Sequence, residues 1–181
     1  MASETENKQG GARVRVPPPL IFLIAIGAGI LLETYVLSVP SPLTGVRFGA
    51  AFILALPGAA LAFSALHLFE RTGQRPEPWK PSPVLIARGP YRYTRNPIYL
   101  SLMLFECAFG LAFDNLWIVI LSAPALLAVH HLAVLPEERY LTGRFGESYR
   151  RYMAAVPRYI GARNLSVIGT TRSIDGQQEA D

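Results

Sequence analysis

Four apolar runs decide what this chain can become: residues 20–39, 48–69, 98–113 and 116–135. A hydrocarbon core roughly 30 Å thick is crossed by about 20 helical residues rising about 1.5 Å each. The first, second and fourth runs meet that length. The third reaches only about 24 Å at that rise, so it has to borrow flanking residues, thin the bilayer or lean on its neighbours. Lipid offers no partner to a backbone amide, so each run has to satisfy its own hydrogen bonds as a helix. Pro57-Gly58 within the second run is an interruption that membrane helices tolerate. Hydrophobic residues make up 51% of the chain and lie in blocks instead of helical stripes, which separates it from a soluble domain of the same length. The expected fold is an all-α integral membrane protein with about four transmembrane helices and a cytoplasmic C-terminal amphipathic helix.

Punctuation and charge give the topology. Pro40-Ser41-Pro42 closes the first run, and Asp114-Asn115 makes the third and fourth an antiparallel hairpin. Residues 1–19 are polar with no signal-peptide cleavage pattern, so the first run is expected to stay as an anchor. Lys8, Arg13 and Arg15 precede it. Arg71, Arg75, Lys80, Arg88, Arg92 and Arg95 lie between runs two and three, and Arg139, Arg144, Arg150, Arg151 and Arg158 follow run four. The other side holds only Arg47 in one loop and Asp114-Asn115 in the other. Four spans with both termini in the cytoplasm satisfy the positive-inside rule, and this placement says more than the modest net charge of +4. The organisation expected is a cytoplasmic tail over 1–19, one membrane domain over 20–160 and a disordered tail over 161–181.

Composition also excludes functions. A lone Cys107 rules out an internal disulfide and a cysteine metal site. His67, His130 and His131 do not make a metal site either, since adjacent histidines on a helix point about 100° apart. There is no glycine-rich phosphate loop and no Gly-x-Ser-x-Gly elbow. The basic clusters face the headgroup zone, so membrane lipids explain them better than nucleic acid does.

The chemistry is expected in two segments that the hairpin brings to one membrane face. Residues 87–99, ARGPYRYTRNPIY, are basic and aromatic, and Gly-Pro and Asn-Pro fix turns at each end. Tyrosine rings there can pack on a ligand, and arginine heads can meet anions. After run four, Pro136 and two acids suit the first turn of a helix over 137–156. Leu141, Phe145, Tyr149, Tyr152 and Val156 recur at helical spacing, giving one apolar face along the membrane surface. Glu137 heads that stripe and is expected to look inward, whereas Glu138 is turned about 100° from it.

In order, Gly89-x-Tyr91, Arg95-x-Pro97-x-Tyr99, the hydrophobic hairpin and Glu137-Glu138-x-x-Leu141-x-x-x-Phe145-Gly146-x-x-Tyr149-x-x-Tyr152-x-x-x-Val156-Pro157 resemble the isoprenylcysteine carboxyl methyltransferase family. These are integral membrane enzymes related to phospholipid N-methyltransferases. The resemblance covers roughly residues 83–158. It implies S-adenosylmethionine as cofactor, held at the cytoplasmic end of the hairpin. Pro83, Val84, Leu85 and Ile86 would pass it with backbone contacts, Tyr91 would meet it from the loop, and Asn96, Pro97, Ile98 and Tyr99 would line the other wall. Glu137 would take the amino group of its methionine part. The family usually has His where this chain has Asn96, and its eukaryotic isoprenylcysteine enzymes have Arg at the position of Ala133.

The resemblance thus implies methyl transfer to a lipophilic acceptor, first a carboxylate of isoprenylcysteine type and alternatively a phospholipid or other lipid amine. No catalytic residue is fixed by the sequence; Arg92, Arg95, His131 and Glu106 are candidates for positioning the acceptor. Glu33 and Glu106 lie within spans, where an unpaired charge is costly, and they also leave open a small four-span transporter. Glu33 reads as interfacial and Glu106 as the better functional candidate.

Overall fold

The computed structural model describes residues 11–12, 14–39, 43 and 45–161. They form helices α1 (Pro18–Tyr35), α2 (Arg47–Arg71), α3 (Pro97–Ala112), α4 (Leu116–Val129), α5 (Leu135–Phe145) and α6 (Glu147–Ala155), with no strand among the described residues. A 3-10 turn spans Gly89–Arg92, and a π turn over His130–Val134 joins α4 to α5. Three helical stretches, Pro18–Tyr35, Arg47–Arg71 and Leu116–Phe145, are long and apolar enough to cross a membrane, and Pro97–Ala112 is a shorter apolar helix. This is an all-α integral membrane protein. Residues 1–10 and 162–181, which hold most of both expected tails, lie outside the described residues.

The short α3 is the hub. It packs against α1, α2 and α4, while α1 also packs along α4. Its brevity is therefore answered by neighbours, and it carries the richest set of buried residues among the helices, including Tyr99, Ser101, Glu106 and Gly110. The outward faces of α1 and α2 show Leu23, Ile24, Phe52, Ile53 and Phe63, apolar surface that a bilayer accepts without cost.

The side bearing the hairpin tip is tied by polar contacts. Asn115 caps α4 by accepting from Ile118 N at 3.2 Å, and its amide donates to Gly29 O at 3.2 Å. Asp114 pairs with Arg47 at 3.3 Å. Gly110 allows the two helices to close, since a Cβ there would stand 2.8 Å from Val119 Cγ2 and 3.0 Å from Asn115 O.

Three boundaries differ from the sequence expectation. The first helix stops at Tyr35 instead of Val39, because Glu33 accepts from Ser38 Oγ at 2.5 Å and Val39 N at 3.3 Å, closing the end of the helix with its own carboxylate. The fourth span does not end before Pro136. A regular α turn would press the proline ring on the carbonyl of Leu132. The π turn relieves this, with Leu135 N bonding to His130 O, and helix continues to Phe145. The expected helix over 137–156 is in turn divided at Gly146, whose φ of 56° suits glycine and ends α5 before α6 begins.

Candidate functional site

The C-terminal segment grips the loop that precedes α3. Arg95 N donates to Pro157 O at 2.9 Å, Thr94 Oγ1 to Arg158 O at 2.9 Å, and Asn96 Nδ2 to the same carbonyl at 3.0 Å. Tyr152 reaches back to donate to Tyr91 O at 2.7 Å. Below these bonds Tyr149, Tyr152, Ala155 and Val156 bury themselves with Leu85, Tyr91, Leu141 and Phe145. The stripe read from the sequence is thus one apolar cluster even though Gly146 breaks its helix. The break turns α6 so that its tyrosines cover the loop.

Glu138 locks this arrangement. Arg158 meets it with two hydrogen bonds, Nε to Oε1 at 2.9 Å and Nη2 to Oε2 at 2.8 Å, and Arg95 Nη1 adds a third at 2.6 Å. Two-point guanidinium–carboxylate pairing of this kind combines charge with fixed geometry. Binding to Glu138 raises the Arg158 pKa above its ordinary value, so this guanidinium stays charged. The sequence expectation has Glu137 inward and Glu138 turned away from the stripe, but Glu138 is the more buried of the two, at 9% exposure; its part in the clamp has no local signal, because both partners come from distant segments.

Glu137 differs from its neighbour. Tyr99 donates to its Oε2 at 3.0 Å, and no Lys, Arg or His among the described residues forms an ion pair with it. Tyr91 lies near enough to feel the same carboxylate. Burial first, and then the Glu137 charge, push its hydroxyl well above the ordinary tyrosine range, so it remains a neutral donor. Its ring meets Phe69 edge-on at 6.1 Å between centroids. Two tyrosines from the expected loop and one acid from α5 therefore converge at the end of the hairpin.

The remaining candidates divide clearly. Segment 82–86 runs beside α5, pinned where Ser82 N donates to Tyr140 Oη at 3.2 Å, Arg144 Nε donates to Ser82 O at 2.5 Å and Gln74 Nε2 donates to Val84 O at 3.1 Å. Leu85 points into the tyrosine cluster, while Pro83 and Val84 are exposed. Pro97 is fully buried and opens α3; Ile98 packs with the cluster of Phe22, Tyr99, Val129 and Ala133. Asn96 spends its side-chain amide on Arg158 O, which makes it part of the clamp. Arg95 is held by Glu138, Arg92 is exposed, and His131 is exposed with its ring against His130. Glu106 is enclosed deeper in α3, at 2% exposure. A surface cavity of about 410 Å³ lies to one side, lined by Gly73, Gln74, Arg75, Lys80, Pro81, Pro83 and Arg144; it shares only Pro83 with the expected site.

Thr94 is the structural partner that the sequence does not point to; Glu138, Tyr152 and Arg158 stand out in the sequence by charge or pattern, but not by whom they pair with. The signal for the last was its place directly after Val156-Pro157, at the end of the quoted pattern.

In a comparison with protein families, the family model for phospholipid methyltransferase aligns with residues 46–148, which include α2, the loop, the hairpin, Glu137 and Glu138. No curated protein and no solved structure matches the chain. The aligned segment is more than half of the 181 residues and holds both sides of the tyrosine–acid pairing. On that ground the chain belongs to the phospholipid methyltransferase family.

Proposed function

We propose that the protein transfers a methyl group from S-adenosylmethionine to a lipid amine at the cytoplasmic face of a membrane, with both termini on that side. The observation that carries this reading is the Tyr99–Glu137 pair, an acid fixed by one hydroxyl and free of any cationic partner among the described residues. Such a carboxylate fits an ammonium group, and aromatic rings beside it suit a sulfonium and a flat base. Glu137, Tyr91 and Tyr99 would hold the cofactor, with the pinned backbone of 83–86 as one wall and Pro97-Ile98 as the other. When bound, S-adenosylmethionine supplies a methyl group already activated on sulfur. The protein's own task is then alignment, exclusion of water and removal of the proton that the acceptor ammonium must lose before its nitrogen can attack the sulfonium methyl. The orientation rests on the basic residues gathered at the loop and C-terminal side.

The charge inventory favours an amine acceptor. A carboxylate acceptor needs a cation, yet Arg95 is held by Glu138 and Ala133 is enclosed among Phe22, Tyr99 and Val129 with no exposure. Carboxyl methylation of an isoprenylcysteine-like substrate is the second reading. It is supported by the residue pattern from Gly89 to Pro157, and Arg92 or His131 would have to receive the acid. A four-span carrier working through Glu33 and Glu106 finds little support, because Glu33 is occupied at the end of α1.

The test is to titrate the purified protein with S-adenosylhomocysteine, then incubate it with a radiolabelled methyl donor and total membrane lipids. Label released by base as volatile methanol is an ester; label that stays non-volatile after base treatment is a methylated amine. Absence of label in every lipid fraction would overturn the proposal.

A further inference from the structure

Glu106 is an exception within the membrane part of the fold. Other buried polar groups there have partners: Ser101 Oγ donates to Ile98 O at 2.7 Å, Cys107 Sγ to Ser122 Oγ at 3.2 Å, Ser122 Oγ to Val119 O at 2.7 Å, and Asn115 to Gly29 O at 3.2 Å. Glu106 is equally enclosed, and neither of its carboxylate oxygens has a hydrogen-bond partner among the described residues. A leucine would fill a helix in an apolar bundle at no such expense, because a buried acid without a donor is costly in either protonation state. Packing does not explain this residue.

Its position does. Seven residues separate Glu106 from Tyr99, which on an α-helix is about 10.5 Å of rise and within about 20° of two full turns. The two side chains therefore leave the same face of α3, one at the level of Glu137 and the other deeper in the membrane. The Cys107–Ser122 contact sets the deeper level against the middle of α4. Glu106 thus stands about 10.5 Å below the level of the cofactor acid on the same helix face, where a head group drawn in from the inner leaflet would meet it.

We infer that Glu106 is an acceptor-binding acid, which receives the ammonium or amine head of the lipid and selects it over anionic lipids. This rests on the lipid-amine reading above. Glu106 offers two unused oxygens to a group that brings up to three N–H donors, and its charge disfavours a phosphate or carboxylate in the same place.

The experiment uses the full chain in detergent with added phosphatidylethanolamine or phosphatidylglycerol, scoring retained lipid by native mass spectrometry and, separately, S-adenosylhomocysteine affinity. The unsubstituted protein is expected to retain phosphatidylethanolamine in preference. Glu106→Gln, which keeps shape and loses charge, should weaken that preference about tenfold, and Glu106→Leu should abolish it. Both variants should bind S-adenosylhomocysteine as before. No preference in the unsubstituted protein, or variants that keep its preference undiminished, overturns the inference. Failure of the unsubstituted protein to bind S-adenosylhomocysteine counts instead against the methyl-transfer reading, with lipid retention still measurable on its own.

Discussion

The clamp around Glu138 and the face of α3 running from Tyr99 to Glu106 each meet a carboxylate, and they treat it in opposite ways. In the clamp, one carboxylate takes three hydrogen bonds from two arginines, and the Arg158 carbonyl takes two more from Thr94 and Asn96. At α3, the Glu137 carboxylate of α5 has a single neutral donor, Tyr99, and Glu106 has none among the described residues. A satisfied network holds the chain in place. An acid left without a cation, where desolvation makes that expensive, is available to something that arrives.

The comparison breaks most sharply at Glu138. Glu138→Ala would leave Arg95, only 9% exposed at its side chain, buried without its anion, a loss of about 3–5 kcal/mol of stability for a pair of this type. Thermal unfolding in detergent would show it as a large fall in midpoint. Arg158→Ala should cost far less, since that side chain is 44% exposed and Arg95 remains to answer the carboxylate. Equal losses would mean that the clamp is not built on the buried arginine.

Glu137→Ala should give the reverse pattern. Stability should hold within about 1 kcal/mol, because only a tyrosine hydroxyl loses its acceptor. Affinity for S-adenosylhomocysteine should fall about 10- to 100-fold, as expected for one charge-assisted hydrogen bond to an ammonium. Isothermal titration of both proteins decides it, and unchanged affinity would remove Glu137 from the donor site.

Gly146→Ala is expected to cost about 1–3 kcal/mol from placing a Cβ at φ 56° and ψ −123°, a conformation that glycine alone adopts freely. Open space around that position means strain alone is being measured. Asn96→Ala sharpens the boundary between the two regions. If the side chain serves the clamp, its loss should lower stability by about 1 kcal/mol with donor affinity unchanged. A selective loss of affinity would move Asn96 to the ligand side.

Much of this was legible from the chain because apolar length and charge placement are physical constraints in their own right. The four helices, the hairpin at Asp114-Asn115 and the meeting of the tyrosine loop with Glu137 all follow from where a bilayer lets polar groups stand. The stripe from Leu141 to Val156 also identified the residues that bury together. What stayed hidden was long-range pairing. Arg95 reads as a free cation in sequence, and only the return of residues 157–158 shows that it is spoken for. The helix ends were equally obscure: a carboxylate closing its own helix at Glu33, and a proline accommodated instead of obeyed at 136, both depend on geometry that spacing does not encode.

The widened turn at His130–Val134 has a mechanical corollary. A π bulge takes up one surplus residue without twisting the helix on either side of it. The angular setting of the acid-bearing end is thus insulated from that of the membrane rod. Deleting one residue inside the bulge should keep Glu137 toward Tyr99 but cost about 3 kcal/mol as the Pro136 ring presses on the preceding turn, whereas inserting one between Leu135 and Glu137 should rotate the acid about 100° away and leave Tyr99 without its acceptor.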